Sequence, residues 1–376
     1  MKERPDMADS SNRKSPLIVH TESSIGWGGQ EIRIMAELRA MRLAGFKTAL
    51  IAPEPSRIYA RAGAEGFPVY PVRFKNKAHI RSWMRLFSII DHLKPDLVNT
   101  HSSDDSWMAG FVSRLLRVPL IIRTRHVSTP IGSAFSYRVF PHFILTTSQA
   151  IKDNLAERGL DPKKIFSVPT GIDSGRFRFS QALRRQTRLE HGMSDDDILV
   201  GNICVLRSWK GLDFFIETAA RLGSPYKFIL VGDGPQRERL EKKADDMCLS
   251  DRLIFAGHQE QIERYFCALD IFLFTSYANE GIPQSVLQAR STGIPIVACA
   301  TASVVETLAG YEEVSFVEYG DIKAATAAIE ETKDHIKIPE SERIRQNLWV
   351  KENHDLEAMI TRIRGLYRQW GLGEPG

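Results

Sequence analysis

Several short segments bring cations, a carboxylate, histidines and glycines together in spacings that suit a phosphorylated ligand. Leu206-Arg207-Ser208-Trp209-Lys210-Gly211 sets two cations at the end of an apolar run, with a glycine opening the next helix. Arg grips a diphosphate bidentately and Lys adds a point charge; solvated surface cations are the alternative. The stretch 270–299, DIFLFTSYANEGIPQSVLQARSTGIPIVAC, reads as buried strand, polar loop, helix and second buried strand. Its loop delivers Glu280-Gly281 to a helix entrance marked by Pro283. The first N–H groups of a helix lack internal partners and suit an anion, and the Glu280 carboxylate can hold a ligand hydroxyl.

Gly26-Trp27-Gly28-Gly29 lies between the first predicted strand and the first predicted helix. A dinucleotide fingerprint needs a third glycine at position 31, which is Glu31. What remains is a loop whose backbone can approach a ligand closely, or a tight strand-to-helix turn. His101, in Asn99-Thr100-His101, and His126, in Arg123-Thr124-Arg125-His126, each lie just after an expected first-domain strand, which puts two imidazoles at equivalent strand ends facing one cleft, structural or catalytic. Val231-Gly232-Asp233-Gly234-Pro235 is another strand-end loop and by itself an ordinary turn. Asp104-Asp105 and Asp195-Asp196-Asp197 read as helix-start and linker charges, so no metal site is expected. No Ser, Cys or Lys stands in a nucleophile setting, which argues against a covalent hydrolase.

The elements that carry these residues alternate strand and helix. Strands are expected at 16–21, 46–52, 69–72, 96–100, 120–124, 143–147 and 164–168, with helices between them, including 80–93, 106–116 and 148–158. Thr170-Gly171-Ile172-Asp173 breaks the pattern, and 173–195 reads as a linker. A second series runs from strand 198–206 through strands 227–231, 253–256, 271–274 and 294–299 to an edge strand at 314–317. Nearly continuous apolar strands in βα units mean parallel sheets covered on both faces. The fold class is therefore α/β, with two doubly wound Rossmann-like domains facing a cleft. The expected divisions are a disordered tail at 1–15, a first domain at 16–172, a second at 196–350 and a crossing-back helix within 351–376.

At 376 residues, two cores are the natural expectation. The first 170 residues hold 25 Lys and Arg against 15 Asp and Glu, a balance of +10, while the remainder stands at −6. Different partners for the two halves follow, with an anionic surface suited to the first. In 77–93, Lys77, Arg81 and Arg85 form a basic stripe beside an apolar face of Ile80, Trp83, Met84, Phe87 and Ile90. That face is expected to pack on the sheet; resting on an anionic membrane is the functional alternative. Cys204, Cys248, Cys267 and Cys299 show no C-x-x-C spacing and read as free thiols of a cytoplasmic protein, and no apolar targeting segment is seen.

Taken together, GWGGQE (26–31), VPTGID (168–173), VLRSWKG (205–211), VGDGP (231–235) and TSYANEGIPQSVLQARSTGIPIVA (275–298) resemble the retaining GT-B glycosyltransferases of family 4. The resemblance covers roughly 16–370. It implies a nucleotide-diphosphate sugar held by the second domain and a glycan or lipid-linked acceptor on the first, as in lipopolysaccharide or surface-polysaccharide assembly. By that likeness Arg207 and Lys210 neutralise the pyrophosphate, and Gly28 and Gly29 line the phosphates. Glu280 holds a donor-sugar hydroxyl with the amides of Gly281 and Ile282, and His126 faces the reacting sugar. Glu306 corresponds to an acid that follows the motif. The family's second glutamate is Gln288 here, which can still accept from a ribose hydroxyl. The resemblance implies no cofactor and no metal, and a cytoplasmic chain peripheral on the inner membrane face. The alternatives are a GT-B nucleotide-sugar epimerase and a non-enzymatic binder of anionic surfaces or nucleic acid. Against the last, the basic residues are spread over several elements with no nucleic-acid module, so no nucleic-acid partner is expected.

Overall fold

The computed structural model describes residues 15–75, 79–278 and 280–375. The first sheet has seven parallel strands: β1 (Leu17–Thr21), β2 (Lys47–Ala52), β3 (Val69–Pro71), β4 (Leu97–Thr100), β5 (Leu120–Arg125), β6 (Phe143–Thr146) and β7 (Ile165–Ser167). Their order is β3-β2-β1-β4-β5-β6-β7. The second sheet has six: β8 (Ile198–Ile203), β9 (Tyr226–Val231), β10 (Leu253–Gly257), β11 (Ile271–Phe274), β12 (Ile296–Cys299) and β13 (Val314–Val317). Their order is β10-β9-β8-β11-β12-β13. In each sheet the winding reverses next to its first strand, between β1 and β4 and between β8 and β11. Ligands in such sheets bind outside the strand ends at that reversal.

Every position of β4, β5, β8, β11 and β12 is buried, because helices cover both faces. The unbroken apolar sequence of β11 and β12, and the apolar starts of β4, β5 and β8, have this cause. The first domain's core is completed by a helix from the far end of the chain. Met359, Ile360, Ile363 and Tyr367 of helix Leu356–Gln369 pack with Ile18, Met41, Leu97, Ile122 and Val168. Trp370 stacks on Phe143 with ring centroids 4.2 Å apart. The two chain crossings between the domains lie side by side: Ile172 N–H donates to His354 O at 2.9 Å and Leu356 N–H to Ile172 O at 3.1 Å. A Cβ on Gly171 would stand 2.5 Å from the Asp355 carbonyl oxygen, so only glycine allows the crossings to meet.

Four local features differ from the sequence reading. Within 173–195 stands a helix, Gln181–Glu190, whose Arg184 and Arg188 clamp Asp270 at 2.5 and 2.9 Å, fixing it to the second domain. Its low hydrophobicity hid it; ion pairs rather than an apolar stripe hold it. Helices Ile322–Thr332 and Glu340–His354 follow β13, where no element was expected. Strand β8 stops at Ile203, three residues short of the expected 206. In helix Ile80–Leu93 the packed face is Ser82, Leu86 and Ile90, while Ile80, Met84 and Phe87 are 67%, 66% and 39% exposed. The apolar face expected on the sheet is therefore largely turned outward, with Arg81 and Arg85 exposed beside it. Lys77 of the basic stripe and the tail at 1–14 lie outside the described residues.

Candidate active site

The loop after β8 makes one turn of 3-10 helix, Ser208–Lys210, and closes on Gly211 at φ +65°. A Cβ on Gly211 would lie 2.1 Å from the Thr275 carbonyl oxygen, so the glycine lets this loop press against the loop after β11. Hydrogen bonds lock the two together: Thr275 Oγ1–H donates to Lys210 O at 2.8 Å and Ser276 Oγ–H to Trp209 O at 3.1 Å. Tyr277 N–H also donates to Trp209 O, at 3.2 Å. This frame carries Lys210 Nζ to 2.6 Å from Glu280 Oε1, which Ser276 Oγ also approaches at 2.5 Å. Burial alone would depress Lys210; the Glu280 charge and hydrogen bond, with Cys204 nearby, instead hold its pKa above the ordinary lysine range. The result is a fixed cation and carboxylate at the second reversal point.

Glu280 leads through Gly281 and Ile282 to Pro283, the N-cap of helix Gln284–Thr292. Ile282 points its side chain into the second domain's core, leaving its backbone at the helix entrance. A Cβ on Gly281 would fall 2.3 Å from Thr147 Oγ1 and 2.4 Å from His126 O, so this loop touches the first domain through bare backbone. The Gly26–Gly29 loop meets the same helix and the Arg207 loop. Gln284 Nε2–H donates to Gly29 O at 3.2 Å, and a Cβ on Gly26 would reach Arg207 Nη2 at 2.6 Å. Gly28 N–H is held by Glu31 Oε2 at 2.8 Å, which explains why position 31 is acidic rather than glycine. Arg207, Lys210, Glu280, Gly281, Gly28, Gly29 and His126 thus converge on one cleft.

The remaining expected residues fall into place differently. Gln288 sits buried one turn along helix Gln284–Thr292, its side chain without a hydrogen bond among the described residues. Gly234 packs against the β8 loop, where a Cβ would stand 2.6 Å from Leu206 O. Glu306, on helix Ala302–Thr307, crosses the cleft and accepts from Gln149 N–H at 3.0 Å and Ala150 N–H at 3.2 Å. It satisfies the N-terminal amides of helix Gln149–Glu157, so it bridges the domains rather than joining the Lys210–Glu280 pair.

Two groups of the first domain escaped the sequence reading. His20, inside β1, lies between its strand neighbours and forms a buried row with His101 and His126. His20 Nδ1 is 2.9 Å from His101 Nε2, and His101 Nδ1 is 2.9 Å from His126 Nε2. Glu22, fully buried at the end of β1, accepts from Ser24 N–H at 2.7 Å and Ser102 Oγ–H at 2.6 Å, and also from Gln30. Burial, with Asp105 and Glu31 nearby, pushes the Glu22 carboxyl up to about 8. Burial likewise raises Asp105 to about 6 against the hydrogen bonds it accepts from Thr21 and the His101 amide. Gln30, His101, Arg123, Arg125, His126 and Tyr137 line a cavity of about 150 Å³ beside this network. Nothing in a lone His within LIVHT distinguishes it from a core residue; strand adjacency creates the row. Among the described residues no three His, Cys, Asp or Glu side chains converge as a metal group.

Two sequence families describe the two domains. Glycosyltransferase Family 4 matches residues 27–176, and Glycosyl transferases group 1 matches 197–335. The chain is 27% identical over 239 residues to the UDP-Gal:alpha-D-GlcNAc-diphosphoundecaprenol alpha-1,3-galactosyltransferase of Escherichia coli, covering 58% of this chain and 61% of that protein. It is 32% identical over 122 residues to the lipopolysaccharide core biosynthesis glycosyltransferase LpsE of Rhizobium meliloti, covering 32% and 35%. The aligned parts thus span less than two thirds of these relatives. Anabaena HepE, solved in complex with UDP-glucose, superposes with a TM-score of 0.82 at 17% identity over 94% of this chain and 99% of that one. Both domains thus match glycosyltransferase families in chain order, and the two-domain architecture is that of the GT-B fold.

Proposed function

We propose that this protein moves a sugar from a nucleotide-diphosphate donor to a glycan or lipid-linked acceptor in surface-glycan assembly, with retention of configuration. The observation that carries the reading is the Lys210–Glu280 pair, fixed at the β8/β11 reversal, with the next residue, Gly281, set against the His126 backbone of the first domain. As the glycosidic bond breaks, positive charge grows on the sugar and negative charge on the leaving diphosphate. Lys210, Arg207 and the entrance of helix Gln284–Thr292 are cationic or dipolar groups already in place where that negative charge develops. Glu280 holds a donor hydroxyl, and the leaving phosphate oxygen takes the acceptor's proton, which keeps the incoming and departing groups on one face. Gln288 offers an uncharged acceptor to the ribose. The galactosyltransferase relative, which by its name uses UDP-Gal and a diphosphoundecaprenol acceptor, supports the donor and acceptor classes.

The first domain's outer face supports work at a membrane. Ile80, Met84, Phe87, Phe111, Leu115 and Phe135 are exposed apolar side chains on successive helices, with Arg81, Arg85 and Arg117 beside them. An anionic bilayer complements both the apolar surface and the charge. No helix among the described residues is long and apolar enough to cross a membrane. The deciding experiment supplies UDP-, GDP- and ADP-sugars with a polyprenyl-diphosphate-linked acceptor and follows nucleotide release and glycolipid product. Acceptor-dependent transfer is expected. Conversion of the sugar nucleotide without an acceptor would instead establish an epimerase.

A further inference from the structure

The row of three histidines has a property that its single contacts do not reveal. Each neutral imidazole carries one N–H, and each of the two 2.9 Å N···N contacts requires one hydrogen. His101 stands in the middle and can donate to only one side. If its proton is on Nε2, His20 is protonated on Nε2 and His126 on Nε2. If it is on Nδ1, all three protons move to Nδ1. No mixed arrangement satisfies both contacts, so the state of the buried end dictates the state of the cleft end.

The surrounding charges choose between the two. His20 Nε2 and Glu37 Oε2 are both buried and make no hydrogen bond of their own, and the Glu37 charge acts on His20. Arg33, ion-paired through Nε to Glu37 Oε1 at 2.9 Å, offsets part of that charge and acts on His101 and His126 as well, while Glu37 Oε2 stays unpartnered. Arg125 acts on His126 at the other end. With all protons on Nε2, the N–H dipoles point their positive ends toward the unpartnered Glu37 oxygen and leave the lone pair of His126 Nδ1 at the Arg125 end. The opposite arrangement reverses both alignments. Asp105 is occupied with the His101 backbone N–H at 2.9 Å and does not compete for the rings. Burial, the largest influence on each, holds all three below the ordinary histidine range and hence neutral near pH 7; for His20 the Glu37 charge opposes it.

We propose that His20 and His101 are positioning residues that hold His126 as its Nε2–H tautomer, so that Nδ1, at the wall of the cavity, accepts a hydrogen bond from a substrate hydroxyl. This use of the row rests on the glycosyltransferase reading; its tautomeric state does not. The row would then decide the polarity of one cleft atom from two strands away, a role unlike that of Glu280, which accepts through a fixed charge.

Nitrogen-15 spectra of the histidine rings in the ligand-free protein at neutral pH test the state directly. All three rings should show protonated Nε2 and bare Nδ1; any one of them found as Nδ1–H or as an imidazolium overturns the proposal. Cutting the row with His101→Phe should release His126 into a mixture of tautomers and lower kcat/KM about tenfold, the loss of one hydrogen bond. If that variant does not fold, Glu37→Gln removes the biasing charge from outside the row and must move the His126 signal the same way. An unchanged His126 spectrum sinks the idea even if sugar transfer is intact. A correct spectrum in a protein that transfers no sugar would sink the glycosyltransferase reading alone.

Discussion

Lys210 Nζ and Glu280 Oε1, 70 residues apart in sequence, stand 2.6 Å apart because the loops after β8 and β11 are bonded to each other. The pair acts as a unit. Lys210→Ala and Glu280→Ala are each expected to lower kcat/KM by about tenfold or more, the effect of a charge-assisted contact worth roughly 1.5–3 kcal/mol. The double variant should lose less than the product of the single losses, because each single change strands a buried charge. Steady-state kinetics of the four proteins checks this; full additivity would mean that the two side chains work independently.

Gly281→Ala places a methyl group where Thr147 Oγ1 and His126 O already lie at 2.3 and 2.4 Å. The domains must then shift apart by about 1 Å, which at a catalytic cleft costs on the order of 100-fold in rate. Each domain should keep its own stability, so circular dichroism and melting should change little while turnover collapses. Normal turnover would show that the closed contact is not used.

Glu306→Ala removes the acceptor for two amides at the start of helix Gln149–Glu157. A loss of about 1 kcal/mol is expected, as for other helix caps. Because the cap comes from the other domain, small-angle scattering should also show a broader spread of interdomain distances. Glu306→Gln should fall between the two. Identical scattering for wild type and Glu306→Ala would remove the bridge from consideration.

The pKa of Glu22 in the fold, about 8, lies above its ordinary 4.5, so the folded state binds the proton more tightly than the unfolded chain. Its contribution to stability is therefore complete below about pH 4.5 and is lost as pH rises toward 8. Glu22→Gln mimics the protonated form. Denaturant titrations should show the variant gaining on wild type at pH 8 by at least about 1.4 kcal/mol, one pKa unit's worth, and matching it near pH 4.5. Equal differences at both pH values would count against a protonated Glu22.

Reversing Arg81 and Arg85 to Glu should weaken sedimentation with anionic phospholipid vesicles by tenfold or more, at about 1 kcal/mol per basic residue near the surface. Replacing Met84 and Phe87 with Ser should weaken it at high salt as well, where the charge contribution is screened. Vesicle binding untouched by either change would place the membrane contact elsewhere.

The parallel sheets and the strand-end loops were legible because buried strands write long apolar runs and glycine marks the turns between them. Lys210 and Glu280 were legible for the same reason: both lie just past such runs. Other features depend on three-dimensional adjacency that no local pattern records. His20 looks like one more strand residue until β4 and β5 bring His101 and His126 alongside. Glu22 looks like a loop carboxylate until Ser102 and Gln30 cover it. Glu306 falls in the expected stretch, yet its partners are two amides 157 and 156 residues away. Helix Gln181–Glu190 was missed because Arg184 and Arg188 hold it through Asp270.

The helix Leu356–Gln369 gives the molecule an unusual order of assembly. A ribosome delivers β1 to β7 first, but Ile18, Leu97, Ile122 and Val168 remain uncovered on one side until Met359, Ile363 and Tyr367 arrive. The earlier-made domain is therefore the later one to finish, and the second domain must be synthesised, and can be folded, while the first waits open. Newly made chains carry their apolar debt at the N-terminal half, where chaperones would be expected to hold them.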